Sequence, residues 1–422
     1  MYQDINKITH IYRIDGHPIQ KMPKTIQIRY LEGLACVCYD IADGDPTMGV
    51  LYTQWGYSIV GKDVSDIYRK QPTESIKQAI SLNRIGLHFF RCKHEFYYDC
   101  YYLVESYNAN LLPKLSQYLS ENGKSIFTKA ALEEKQKYFV GESTNITISE
   151  GQKAHRQVNL EFEKQQTSRV LVVATVSAGK STMINALIGY NFNKIQATAC
   201  TNRLCEIYNK PVNDGISYYS SSSLLYDQNI NSHSSDETTK IGLHFKSSLG
   251  NAKICLIDTP GVNNSIDQRH WKTTTDAIAS GYYDMILFVS NGQYNGTIDE
   301  RKILEFIYKK NKRPIIFALN QLDRFKSSAD NVANMLSDFT NELKSIGFKT
   351  PKVFPVSAQF AYLSRLDYRD EDEELELEQL KRRFSKDFYD LPKYIGGHSE
   401  DNMGRSGISH IEIEIKKLNQ QY

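Results

Sequence analysis

From about residue 165 onward, short apolar runs alternate with amphipathic stretches along the chain. "RVLVVA" (169–174), "RLCEIY" (203–208), "AKICLID" (252–258), "DMILFVS" (284–290), "PIIFALN" (314–320) and "KVFPVS" (352–357) read as buried strands. Between them "GKSTMINALIG", "WKTTTDAIASG", "DERKILEFIYKKN" and "SDFTNELKSIG" predict helices, and "SGISHIEIEIKKLNQQ" predicts a last one after Gly396-Gly397. Strands alternating with helices predict an α/β fold with a mostly parallel sheet and helices on both faces. Two insertions interrupt the pattern. "SYYSSSSLLYDQNINSHSSDETT" (217–239) reads as a surface loop or hairpin, and "RDEDEELELEQLKRRF" (369–384) as a helix with a solvated charged face.

Residues 1–150 read differently. "TIQIRYLEGLACVCYDI", "MGVLYTQWGYSIVG" and "IGLHFFRCKHEFYYDCYYLVES" are rich in tyrosine, isoleucine and valine, which predicts strands. With helices at "NANLLPKLSQYLSENG" and "FTKAALEEKQKYFVG", the expectation is a smaller α+β domain. Residues 151–168 then form a helical connector into a second domain, 169–422.

Composition narrows the classes. Fifty-one basic and 49 acidic side chains leave a formal charge of +2 on 422 residues, which gives no electrostatic case for nucleic acid or an anionic membrane. No apolar run approaches the ~20 residues of a membrane helix, and no signal pattern opens the chain, so a cytoplasmic protein is expected. The seven cysteines are scattered. Cys36, Cys38, Cys92, His94 and Cys100 have spacings unlike those of structural zinc sites and read as core packing.

The chemistry is concentrated in four places. In "RVLVVATVSAGKSTMINALIG" a strand runs through a loop into a helix, the context of a phosphate-binding loop. Ala178, Gly179, Lys180, Ser181 and Thr182 face the phosphates there, Lys180 reaching the β- and γ-phosphates and the Ser181 hydroxyl ligating Mg²⁺. "LIDTPG" ends a strand with Asp258, suited to hold Mg²⁺ through water, and Gly261, whose N–H can reach the γ-phosphate. "FALNQLD" supplies Asn320 and Asp323. That carboxylate accepts hydrogen bonds from guanine N1–H and N2–H₂, which adenine cannot supply, at a cost to the wrong base of about 1–3 kcal/mol. "VFPVSAQ" offers the Ser357-Ala358 backbone to guanine O6. All four stand, in order, at the C-terminal edges of strands, where open α/β sheets bind ligands. Ala174 stands where the loop pattern has its first glycine, and alanine disfavours a positive φ by about 1–2 kcal/mol.

"TVSAGKSTMINALIG", "TACTN", "DTPGV", "NQLD" and "PVSA" together resemble the dynamin superfamily of large GTPases, its bacterial members above all. The resemblance covers roughly 165–422 and implies GTP/GDP and Mg²⁺ as ligands, with hydrolysis of GTP to GDP and phosphate stimulated by a homodimer of GTPase domains. It implies catalytic roles for Ser177, Lys180 and Thr201, with Thr198 the second match, and adds Thr201 to Ser181 and Asp258 as metal residues. Val262 is hydrophobic, as in dynamins, and Gln321 departs from the lysine whose stem packs on the purine. Only Asn419 to Tyr422 follow the last helix, so no C-terminal stalk is expected, and direct membrane binding by this chain is doubtful. Two other readings stand beside a hydrolase. One is a nucleotide-gated binding or adaptor module with little turnover; the other is the GTPase part of a membrane-associated assembly whose stalk is a separate partner chain.

Overall fold

The computed structural model describes residues 8–9, 11, 16–69, 92–122, 150–191, 204–220, 223–227, 238–260, 268–293, 296–327, 329–401 and 403–420. The chain divides into two compact units, Met1–Glu161 with Ser223–Tyr226, and Phe162–Ser222 with Asp227–Tyr422.

The first unit is built from helices: α1 (Lys24–Ile41), α2 (Pro46–Val60), α3 (Ser65–Arg69), α4 (Lys93–Asn108), α5 (Leu112–Asn122) and most of α6 (Glu150–Lys164). Among the described residues of 1–161 there is no strand: "TIQIRYLEGLACVCYDI" and "MGVLYTQWGYSIVG", expected as strands, lie in α1 and α2. Spacing overrides residue type here. In α1 the buried Tyr30, Leu31, Leu34, Ala35, Cys38 and Ile41 recur at helical intervals. In α2, Asp45 caps the first turn by accepting from Thr47 N at 2.7 Å, Pro46 opens the helix, and Gly61 ends it at φ +70°. The tyrosine-rich α4 is buried nearly all round, so no polar stripe marks it as a helix.

That core is aromatic. Trp55 stacks on Tyr102 at 4.5 Å between centroids, and the Tyr102 hydroxyl donates to the Ile11 carbonyl at 2.7 Å. Asp99, fully buried, accepts from Tyr30 Oη at 2.7 Å, with His17 Nε2 3.3 Å from the same oxygen. Cys36, Cys38, Cys92 and Cys100 are buried, and burial raises the Cys92 thiol to about 11. Among the described residues no group of three His, Cys, Asp or Glu side chains is arranged to hold a metal, and no helix is long and apolar enough to cross a membrane.

The second unit carries the strands β1 (Ser168–Ala174), β2 (Cys205–Asn209), β3 (Ile216–Ser220), β5 (Thr238–Leu243), β6 (Ile254–Asp258), β7 (Met285–Asn291), β8 (Ile315–Asn320) and β9 (Val353–Pro355), while β4 (Ser223–Asp227) falls mostly in the first unit. Within the second unit the order is β3-β5-β2-β6-β1-β7-β8-β9. From β6 to β9 every pairing is parallel; β2 runs antiparallel to β6. Helices α7 (Lys180–Ile188), α8 (Gln268–Ser280), α9 (Ile298–Lys310), α10 (Val332–Ile346), α11 (Ala358–Arg365), α12 (Glu371–Phe384) and α13 (Ile408–Gln420) complete it. The parallel block is apolar throughout because both faces are covered: β6 and β7 are buried at every position.

The insertion at 217–239 supplies most of β3, all of β4 and the start of β5. The charged run at 369–384 is α12, opened by a capping box of Asp370 and Glu373. One of its faces is buried through Leu377, Leu380 and Phe384, the last stacking on Phe360 at 4.3 Å. Because the block from β6 to β9 is parallel, Asp258, Ala174, Asn291, Asn320 and Pro355 all end strands at one edge, with Asn291 registered opposite Asn320.

Candidate functional site

The loop between β1 and α7 begins without strain at Ala174. That residue is the last of β1, buried, paired with Val289, and not among the positive-φ positions, so the alanine carries no left-handed penalty. The left-handed positions lie further on, at Ser177 (φ +64°) and Gly179 (φ +85°), and of the two only the serine is strained. A non-glycine residue held left-handed costs about 1–2 kcal/mol. Ser177 is held by its carbonyl, which accepts Gln321 Nε2 at 2.7 Å and Asn291 Nδ2 at 3.3 Å. Net gains of about 0.5–1.5 kcal/mol per bond are enough to offset the strain.

Gly179 is the N-cap of α7, and a Cβ there would lie 2.4 Å from Asn320 Nδ2. No side chain caps this helix, so its first N–H groups point at the loop without an internal acceptor. Lys180 follows, then Ser181 and Thr182, all half-buried in the first turn. The Lys180 ammonium is hydrogen-bonded to Asp258 Oδ1, both side chains about nine-tenths buried. Asp258 therefore already engages a cation. The buried Asp258 carboxylate and the hydroxyl of Ser181, next in the chain to Lys180, are hard oxygen donors of the kind Mg²⁺ takes, so these residue types fit that ion.

The residues expected to read the base are tied to the same loop. Asn320 donates from Nδ2 to the Ala178 carbonyl at 3.1 Å and accepts the Ala358 N–H at 3.0 Å. Ser357 caps α11, accepting from Phe360 N at 3.2 Å, and donates its hydroxyl to Asp323 Oδ1 at 2.8 Å. Asp323 is buried; desolvation raises its carboxyl above the usual range, and the Ser357 hydrogen bond opposes that rise only in part. A carboxylate left in that state favours a ligand bringing N–H donors. Arg383 Nη1 donates to the Asp323 backbone carbonyl at 3.0 Å and so anchors the turn.

The structure thus brings Asp258, Lys180, the 177–179 loop, Asn320, Ala358, Ser357 and Asp323 into one continuous set of contacts. Thr201, Thr198, Gly261 and Val262 lie outside the described residues. Sequence reasoning missed Asn291, whose polar side chain ends the apolar strand β7 beside Gly292. A carboxamide at the end of a buried parallel strand was the available signal. It also gave no role to Gln321 beyond the loss of a lysine.

A family model, that of the Dynamin family, matches residues 170–322. No curated protein matches the chain. Similar solved structures include Era in complex with MgGDPNP and nucleotides 1506–1542 of 16S ribosomal RNA, at 19% identity over 50% of this chain and 55% of that one, with a TM-score of 0.29. A GTP-binding protein from the hyperthermophilic archaeon Sulfolobus solfataricus, in complex with GDP, is 14% identical over 64% of each chain, with a TM-score of 0.29. The G235S variant of SsGBP is 14% identical over 63% of this chain and 76% of that one, with a TM-score of 0.30. This chain therefore spans only about half of the Era chain.

Proposed function

We propose, from the premise that residues 170–322 are a dynamin-family GTPase domain, that this protein binds a guanine nucleotide with Mg²⁺ and hydrolyses GTP to GDP and phosphate. The observation that carries the reading is the contact chain running from Asp258 through Lys180 and Asn320 to Asp323. It puts a phosphate-seeking cation and a donor-seeking carboxylate at the two ends of one line of contacts.

In this reading Lys180 leaves Asp258 for the β- and γ-phosphate oxygens, and the uncapped N–H groups of α7 bind the remaining oxygens. Asp258, Ser181 and Thr201 would hold Mg²⁺, which when bound neutralises charge on the β- and γ-oxygens. Ser177 stands over the bond between those phosphates, and Thr201 orders the attacking water. Asp323 accepts from guanine N1–H and N2–H₂, while Gly261 and Ala358 offer backbone N–H groups to the γ-phosphate and to O6. Dimerisation through the GTPase domain speeds the reaction.

Phosphate release measured with GTP and with ATP over a range of protein concentrations tests this. GTP-selective release whose rate per molecule rises with concentration is expected. Loss of Lys180 removes the phosphate cation, so Lys180→Ala is expected to lower release by about 10²-fold or more. An equal rate in that variant would refute the assignment. GTP binding with no release over hours would favour the module without turnover. That alternative drew on Ala174 and Gln321, and the unstrained geometry at Ala174 removes the first of these two grounds.

A further inference from the structure

Ser177 lacks glycine's freedom, yet it sits left-handed in the middle of the loop that faces the phosphates. Its carbonyl oxygen has two lone pairs, and carboxamides from two different strand ends engage them: Asn291 Nδ2 from the end of β7 at 3.3 Å, and Gln321 Nε2 from just past β8 at 2.7 Å. Neither amide can be turned round. Asn291 Oδ1 accepts the Gln293 N–H at 2.9 Å, which commits its NH₂ to Ser177, and a reversed Gln321 would set oxygen against oxygen. The donors are themselves fixed. Gly292 leaves no room for a Cβ, which would meet Leu322 Cδ2 at 2.7 Å and the Asn320 carbonyl at 2.8 Å. Its N–H donates to that same Asn320 carbonyl at 2.8 Å, locking the end of β7 against the end of β8. Gln321 is held left-handed at φ +66°.

We infer that Asn291 and Gln321 are positioning residues of the nucleotide site: their paired carboxamides hold Ser177 left-handed, and so aim the loop's N–H groups and the Ser177 hydroxyl at the phosphates. This rests on the nucleotide-site reading above. It gives Gln321 a task of its own where the N-K-x-D pattern has lysine, and it assigns a role to Asn291, which no motif marks. The clamp is neutral, so its contribution survives high salt, where a lysine's would fade.

Dissociation constants for a fluorescent GDP test it, measured at low and high salt for the parent, Asn291→Ala, Gln321→Leu, Ser177→Gly and the Asn291→Ala/Ser177→Gly double variant, with thermal melts in parallel. Each amide loss is expected to weaken GDP by about 3–10-fold at both salt levels. Glycine adopts the left-handed region without penalty, so in the Ser177→Gly background the effect of Asn291→Ala is expected to shrink to about twofold or less. If Asn291→Ala melts out, the more exposed Gln321→Leu carries the test. A parent that binds GDP while both amide variants bind as tightly would overturn the clamp, as would an undiminished loss in the Ser177→Gly background. A parent that does not bind GDP would instead bring down the nucleotide reading itself.

Discussion

Replacing Gly179 with alanine probes the point where the loop after β1 touches the end of β8, the two segments proposed to hold the phosphates and the base. At φ +85° an alanine is strained by about 1–2 kcal/mol whatever space surrounds it. The added Cβ also falls 2.4 Å from Asn320 Nδ2, and that carboxamide has nowhere easy to go. It donates to Ala178 O at 3.1 Å and accepts from Ala358 N at 3.0 Å. Pushing it aside breaks two hydrogen bonds worth about 0.5–1.5 kcal/mol each. Strain and lost bonds together come to about 2–5 kcal/mol, or roughly thirtyfold to several thousandfold in GDP affinity if all of it falls on the binding-competent loop. Titration with a fluorescent GDP reads that loss, and urea unfolding reads the share taken by stability. Gly281→Ala is the internal control. It has φ +64° but nothing within 4 Å of a Cβ, so it carries the strain without the collision and lies outside the site. A Gly179→Ala protein that binds GDP within twofold of the parent, with an unchanged unfolding midpoint, would refute the reasoning.

Glu300, buried in α9 with its carboxylate accepting from Ser290 Oγ at 2.6 Å, is pushed from 4.5 up to about 7, by desolvation first and then by the charge of Glu342, against the pull of the Ser290 hydrogen bond. Because the folded value is raised, the stability it contributes is full below pH 4.5 and is lost as pH rises through about 7. That loss is about 3 kcal/mol in all and falls mainly between pH 4.5 and about 7, so Glu300→Gln is expected to flatten the fall in urea midpoint between about pH 5 and about pH 8. An unchanged pH profile would contradict it. Arg365 Nη2 pairs with Glu412 Oε1 at 2.6 Å, both buried, and Arg365 Nη1 also donates to the Ala186 carbonyl in the last turn of α7. Arg365→Ala strands the Glu412 charge, so a loss of about 3–5 kcal/mol is expected in chemical denaturation, and Arg365→Ala paired with Glu412→Leu should recover much of it.

The sheet was legible because a parallel strand covered on both faces is an uninterrupted apolar run, and each of the six runs from "RVLVVA" to "KVFPVS" is a strand. The helical unit was not. Every residue from Phe96 to Val104 of α4 is buried, so residue type suggested a strand where length argued otherwise, as the "DP…G" caps did for α2. Within the site, the ends of strands were readable from motif spacing: Lys180, Asp258, Asn320, Asp323 and Ser357 stand along one line of contacts. Backbone angles were not readable. The pattern's missing glycine drew attention to Ala174, which is ordinary strand, while the unusual conformation belongs to Ser177, where no glycine is expected. The Lys180–Asp258 pair was also out of reach, since both residues were assigned to the ligand rather than to each other.

The central claim is that Asp323 reads the base of the nucleotide whose phosphates Lys180 holds. Its most direct test is the affinity of the parent and of Asp323→Asn for GDP and for xanthosine diphosphate, whose base has a carbonyl where guanine has its amine. An asparagine keeps the acceptor for Ser357 and presents an N–H donor to that carbonyl. The parent is expected to prefer GDP by about tenfold or more, and the variant to reverse the preference. A variant that still prefers GDP by the parent's margin would contradict the account.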